Sequence, residues 1–206
     1  MPSTRVRPPG PWLLRVWVKP LVFMLALLPL ASLLWAMYAD TLGANPAQAL
    51  VRATGDWSLR MLCVVLAVTP LRVVMRQPAW ARFRRMLGLF VFFYVSLHLL
   101  CYSWFDMGFD LKDIIKDIGK RPFILVGFLA FVFLNLLAAT SFNRAIKWLG
   151  ATRWRALHRL VYAVALLAVL HFYWMRTSKN DVTEVFVYAA IIGTLLAWRV
   201  YKRLVK

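Results

Sequence analysis

Six apolar runs, each near twenty residues long, divide this chain at roughly 18–38, 54–72, 86–105, 122–141, 156–175 and 183–201. A helix rises about 1.5 Å per residue, so such a run crosses a hydrocarbon core about 30 Å thick. Inside that core every backbone polar group must find its partner within the chain, which a helix provides. The fold expected is therefore all-α: a polytopic membrane bundle of about six helices over 18–201, with tails at 1–17 and 202–206. Apolar residues make up 62% of the chain, against about 45–50% in soluble domains, so a soluble fold is excluded. No short apolar region ends in a small-residue cleavage pattern, so the first run reads as a retained helix and not a signal peptide.

A net charge of +18 could suggest nucleic acid, but the basic residues cluster between the apolar runs, so no nucleic-acid partner is expected and membrane lipid is. Placing the N-terminus in the cytoplasm puts 18 of the 26 basic residues inside, from Arg5, Arg7, Arg15 and Lys19 to Arg199, Lys202, Arg203 and Lys206. All eight acidic residues then fall outside, among them Asp56, Asp106, Asp117, Asp181 and Glu184. Both termini are expected in the cytoplasm. Cys63 and Cys101 fall within spans, lack metal-ligand spacing and read as unpaired packing residues. The long outer connection repeats Leu111, Ile114, Ile115 and Ile118 at helical spacing, with Lys112, Asp113, Lys116 and Asp117 opposite. It reads as a short amphipathic helix on the outer surface, either an apolar anchor or a docking surface for an outside partner.

The chain's three histidines, His98, His158 and His171, lie in or at the edge of these runs. An imidazole in hydrocarbon is costly unless something pairs with it, so each is a candidate functional residue. His98 on the third run and His171 on the fifth share a depth in the outer half, on helices running the same way. A neighbouring helix alone could satisfy each, but matched depth suits the two axial ligands of one haem. A zinc site would want three or four ligands, and no carboxylate accompanies these histidines within the membrane. His158 lies toward the inner face, about 20 Å from His171 along an unbroken helix, which suggests a path across the membrane. Opposite it the third run offers Arg84 and Arg85, which suit a haem propionate or a flavin phosphate better than iron. Arg60, early in the second run, either meets a propionate or snorkels outward.

The segments LGANP, TGDWSLRMLCVVLAVTPLR, RRMLGLFVFFYVSLHLLCY, GKRPFILVG and WRALHRLVYAVALLAVLHFYW, taken in order, resemble the MsrQ family. These are haem-binding membrane subunits of bacterial periplasmic methionine sulfoxide reductase systems, within the ferric-reductase-like transmembrane superfamily. The resemblance runs from about residue 42 to the end. It implies an inner-membrane protein that carries electrons outward through haem b, with FMN as a further cofactor. The implied donor is a cytosolic flavin reductase or the quinone pool. The implied acceptor is a periplasmic molybdopterin subunit that reduces methionine sulfoxide in oxidised proteins. His98, His158 and His171 fall on the family's haem-associated positions. The superfamily carries two histidines on each of two helices, but here arginine stands at the inner position of the third run. The implied centre is one haem on His98 and His171, with His158 as candidate ligand of a second haem or another cofactor.

Two other classes compete with that reading. A transporter or channel could relay protons through the histidines, though it would more often show intramembrane carboxylates, broken helices or repeated halves. A related cytochrome b could oxidise quinol or reduce iron without a periplasmic partner. No dinucleotide-binding domain is fused to the runs, so a self-sufficient ferric reductase is not expected.

Overall fold

A computed structural model describes residues 12–177 and 182–205, and among these every regular element is helical. Arg5, Arg7, Lys179, Asp181 and Lys206 lie outside the described residues, as does most of the tail at 1–17. The described residues form eight α-helices: α1 Val18–Tyr38, α2 Pro46–Val74, α3 Arg84–Cys101, α4 Leu111–Lys120, α5 Pro122–Ala139, α6 Asn143–Leu157, α7 Leu160–Thr177 and α8 Thr183–Leu204. A 3₁₀ segment, Pro78–Phe83, leads into α3, and a π-helical turn, Tyr102–Asp106, ends it. Six helical stretches are long and apolar enough to span: α1, α2, Pro78–Asp106 around α3, α5, α7 and α8.

The spans match the six apolar runs, with three departures that have physical causes. Helix α2 starts eight residues earlier than its hydropathy suggests. Asn45 caps it by accepting from the Gln48 N–H at 3.0 Å, and Pro46 occupies the first turn, where its missing N–H costs nothing. The stretch after α5 is helical as well: α6 bends at Gly150, whose φ of 73° and ψ of 153° suit only glycine. The fifth apolar run is also broken, because His158 closes α6 and α7 begins at Leu160. His158 and His171 therefore do not share a helix.

Packing sets two pairs against each other. Helix α2 lies most extensively along α3, and α5 along α7, with α8 closing against α2 and α7. The core they share includes Leu59, Leu62, Leu66, Phe90, Leu134 and Val164. Helix α1 sits at the edge and is fastened by Tyr94, a fully buried residue of α3. The Tyr94 hydroxyl accepts from the Leu30 N–H at 3.2 Å and donates to the Ala26 carbonyl at 2.7 Å. A buried tyrosine needs such a partner, and here it also fixes the turn of α1 that contains Pro29. At the end of the bundle where α1 begins, Leu13, Val18, Val68, Phe83 and Leu87 form a smaller cluster. Arg82 closes that cluster by donating to the Leu13 carbonyl at 2.8 Å.

Candidate functional site

The gap between the α2–α3 pair and the α5–α7 pair is a cavity of about 300 Å³, at the small end of ligand pockets. His98 enters it from α3 and His171 from α7, with ring centres 6.3 Å apart and planes at 76°. The Nδ1 atom of His98 lies 2.9 Å from the Val51 carbonyl, and that of His171 lies 2.7 Å from the Phe123 carbonyl. A carbonyl only accepts, so in each neutral ring Nδ1 carries the proton and Nε2 keeps its lone pair. That is how imidazoles are oriented for metal ligation, with the second nitrogen tied to a carbonyl.

One local device serves both rings. On α2 the carbonyl belongs to Val51 and the residue four further on is Gly55; on α5 the pair is Phe123 and Gly127. Residues four apart share a helix face. A Cβ on Gly55 would come within 3.2 Å of His98, and one on Gly127 within 2.8 Å of His171 Nδ1. Each glycine thus leaves room for an imidazole to lie against the helix and reach the carbonyl one turn back. Two metal–nitrogen bonds of about 2 Å, with the ring radii added, span about 6 Å between ring centres. The observed spacing fits one metal held between the two imidazoles.

The rest of the cavity divides by polarity. Leu59, Leu62, Val91, Leu134 and Val164 line its inner part, while Arg52, Asp56, Asp106, Arg121 and Arg176 line the part where α2 begins and α3 ends. Arg121 donates from Nε to Asp117 Oδ1 at 2.9 Å, and the Tyr102 hydroxyl donates to Asp117 Oδ2 at 2.6 Å. Asp117 is the buried residue of α4. The sequence pattern put it on that helix's solvated face, but it turns inward to tie Tyr102 and Arg121 together. Leu111 and Ile115 remain exposed, at 72% and 70%.

The other residues singled out from sequence do not join this cavity. His158 stacks on Trp154 with ring centres 3.9 Å apart, and its Nε2 lies 3.3 Å from the Thr140 hydroxyl. Burial, and then the Arg84 guanidinium, push its imidazole below the ordinary range. Arg84 is thus near enough to act on His158 through its charge, whereas Arg85 turns away and donates to Asn143 Oδ1 at 2.6 Å. Arg60 donates to the Tyr188 hydroxyl at 3.1 Å and lies 4.7 Å from the Trp57 ring centre. It does not line the cavity. Arg52, Arg121, Arg176 and the two glycines are the site residues that sequence reasoning missed. The carbonyl-and-glycine spacing opposite each histidine was the available signal.

Spanning helices that bring two imidazoles into one cavity define a polytopic membrane protein with a paired-histidine cavity. Residues 54–169 match the ferric reductase like transmembrane component family. A protein-methionine-sulfoxide reductase heme-binding subunit MsrQ from Polaromonas naphthalenivorans is 67% identical over 195 residues, 95% of this chain and 89% of that protein. The subunit of the same name from Bordetella pertussis is 50% identical over 89% of this chain and 88% of its own length. The one from Caulobacter vibrioides is 45% identical over 88% and 86%. The chain belongs to the MsrQ family, within the ferric-reductase-like transmembrane proteins, and is a multi-pass protein of the bacterial inner membrane. No solved structure matches it.

Proposed function

We propose that this protein is the haem-bearing electron-transfer subunit of a methionine sulfoxide reductase system, and that His98 and His171 are the axial ligands of a haem b. The observation that carries the proposal is the imidazole pair 6.3 Å apart, each with Nδ1 on a helix carbonyl. The names of the relatives support the haem and the reductase system. Bound between these rings, a haem supplies a one-electron couple within the membrane. The chain fixes the tautomer of both rings, surrounds the centre with apolar side chains, and keeps its charged groups at one edge.

The direction of transfer rests on charge. The end bearing Arg15, Arg72, Arg84, Arg153 and Arg203 is assigned to the cytoplasm and the end bearing Asp106, Asp113 and Glu184 to the periplasm, so both termini are cytoplasmic. The cavity then lies toward the periplasm, where the electron must leave for a molybdopterin subunit that reduces methionine sulfoxide. The donor is a cytosolic flavin reductase or the quinone pool. FMN serves as a further cofactor, with its phosphate at the cytoplasmic Arg84, since Arg85 is engaged by Asn143. His158, within reach of the Arg84 charge, is the residue available to a second haem or to that cofactor. Arg60 is already engaged by Tyr188 and takes no part in the outer centre.

Oriented vesicles test the reading. With a reduced flavin donor on the basic side and the molybdopterin reductase on the other, the wild-type protein should drive loss of methionine sulfoxide, and His171→Ala should not. Equal turnover by the variant would contradict it.

A further inference from the structure

The cavity that holds His98 and His171 has one polar edge, and its polarity is of a particular kind. A haem carries both of its carboxylates on one side of the ring. Buried against Leu62 or Val91 they would be desolvated charges without partners, so that side must face the charged edge. Three guanidinium groups stand there beside two carboxylates, Asp56 and Asp106. Arg176 is already paired with Glu184 of α8. Arg121 gives one of its five N–H donors to Asp117, and Arg52 is exposed at the mouth.

We propose that Arg52 and Arg121 hold the propionates of the haem bound between His98 and His171, and that Asp117, by sharing Arg121 with a propionate, ties the haem's reduction potential to helix α4. The inference rests on the ligand pair proposed above. Asp117 takes the Arg121 Nε–H at 2.9 Å and the Tyr102 hydroxyl at 2.6 Å, so three elements meet at one carboxylate: α4, the π-helical turn after α3, and the start of α5. A bidentate guanidinium can serve two carboxylates at once, and a shift of α4 changes how much of its charge reaches the haem edge. Arg121 and Asp117 are positioning residues, because they act on the centre through its carboxylates.

Equilibrium redox titration of the purified holoprotein tests this. A cation near the propionates favours the reduced haem, so Arg121→Gln and Arg52→Gln should each lower the midpoint potential. Asp117→Asn removes an anion and releases Arg121, so it should raise the potential, and Arg121→Lys should recover part of the loss. Shifts of the same sign in Arg121→Gln and Asp117→Asn, or no shift in either, would overturn the inference. If Arg121→Gln yields no folded protein, the opposite signs of Arg52→Gln and Asp117→Asn decide. The ligand assignment fails separately: haem bands unchanged in either His98→Ala or His171→Ala refute it, whereas unchanged potentials in the arginine variants, with haem lost from both histidine variants, refute this inference alone.

Discussion

Gly127→Ala should damage the centre without touching a ligand. The new Cβ would stand 2.8 Å from His171 Nδ1, 2.9 Å from Cε1 and 3.3 Å from Cγ, where ordinary contact begins at 3.4 Å. The ring must therefore retreat by about 0.6 Å, the difference between 3.4 and 2.8, from a carbonyl that it meets at 2.7 Å. A retreat of that size exceeds the roughly 0.5 Å tolerance of a preorganised site and weakens a hydrogen bond worth about 1 kcal/mol. Losing the outer partner of a metal-ligating histidine typically costs about 10–100-fold in affinity. Gly55→Ala meets His98 at 3.2 Å, so there the shift is only a few tenths of an ångström and the loss should be smaller. Gly193→Ala, with nothing within 4 Å, is the control. Haem retained per polypeptide during dilution, read in the Soret band, should fall in the order Gly193→Ala, Gly55→Ala, Gly127→Ala. Wild-type retention in Gly127→Ala would show that the glycine is not what lets His171 reach its carbonyl.

Three further outcomes are expected. Tyr94→Phe should cost about 1 kcal/mol, the low end for a lost buried bond, because the Leu30 N–H and Ala26 carbonyl can close on each other once the hydroxyl leaves; thermal unfolding in detergent measures it, and an unchanged midpoint would contradict the link between α1 and α3. Gly150→Ala forces a side chain onto a φ of 73° and should destabilise the protein by about 1–3 kcal/mol, again read by unfolding, with a neutral result refuting the strain. Reporter fusions after Leu204 should be active only as cytoplasmic reporters and fusions at Gly108 only as periplasmic ones; the reverse pattern would invert the proposed direction of transfer.

Much of this architecture can be read from hydropathy because lipid leaves the backbone little choice. The spans around 18–38, 122–141 and 183–201 reappear as α1, α5 and α8 with ends within three residues. The common depth of His98 and His171 was equally legible, and the structure brings those rings together in one cavity. The start of α2 was obscured because Pro46, Gln48 and Arg52 depress the hydropathy of its first turns. Arg52 lines the cavity mouth. The break at His158 was invisible for another reason: the apolar run resumes at Leu160 directly after it, and neither glycine nor proline marks the end of α6. Asp117 misled because amphipathic spacing separates apolar from polar positions but cannot tell which polar side chain meets Tyr102 and Arg121. The glycines beneath the histidines matter only in three dimensions, where each opens the path to a carbonyl one turn earlier.

The reduced-minus-oxidised absorption spectrum of the purified protein tests the ligand pair most directly, compared among wild type, His98→Ala, His171→Ala and His158→Ala. Low-spin b-type bands are expected in the wild type, with their loss in both His98→Ala and His171→Ala and an outer-centre signal that persists in His158→Ala. Wild-type protein without haem bands, or an unchanged low-spin signal after either of the first two substitutions, would contradict the ligand pair.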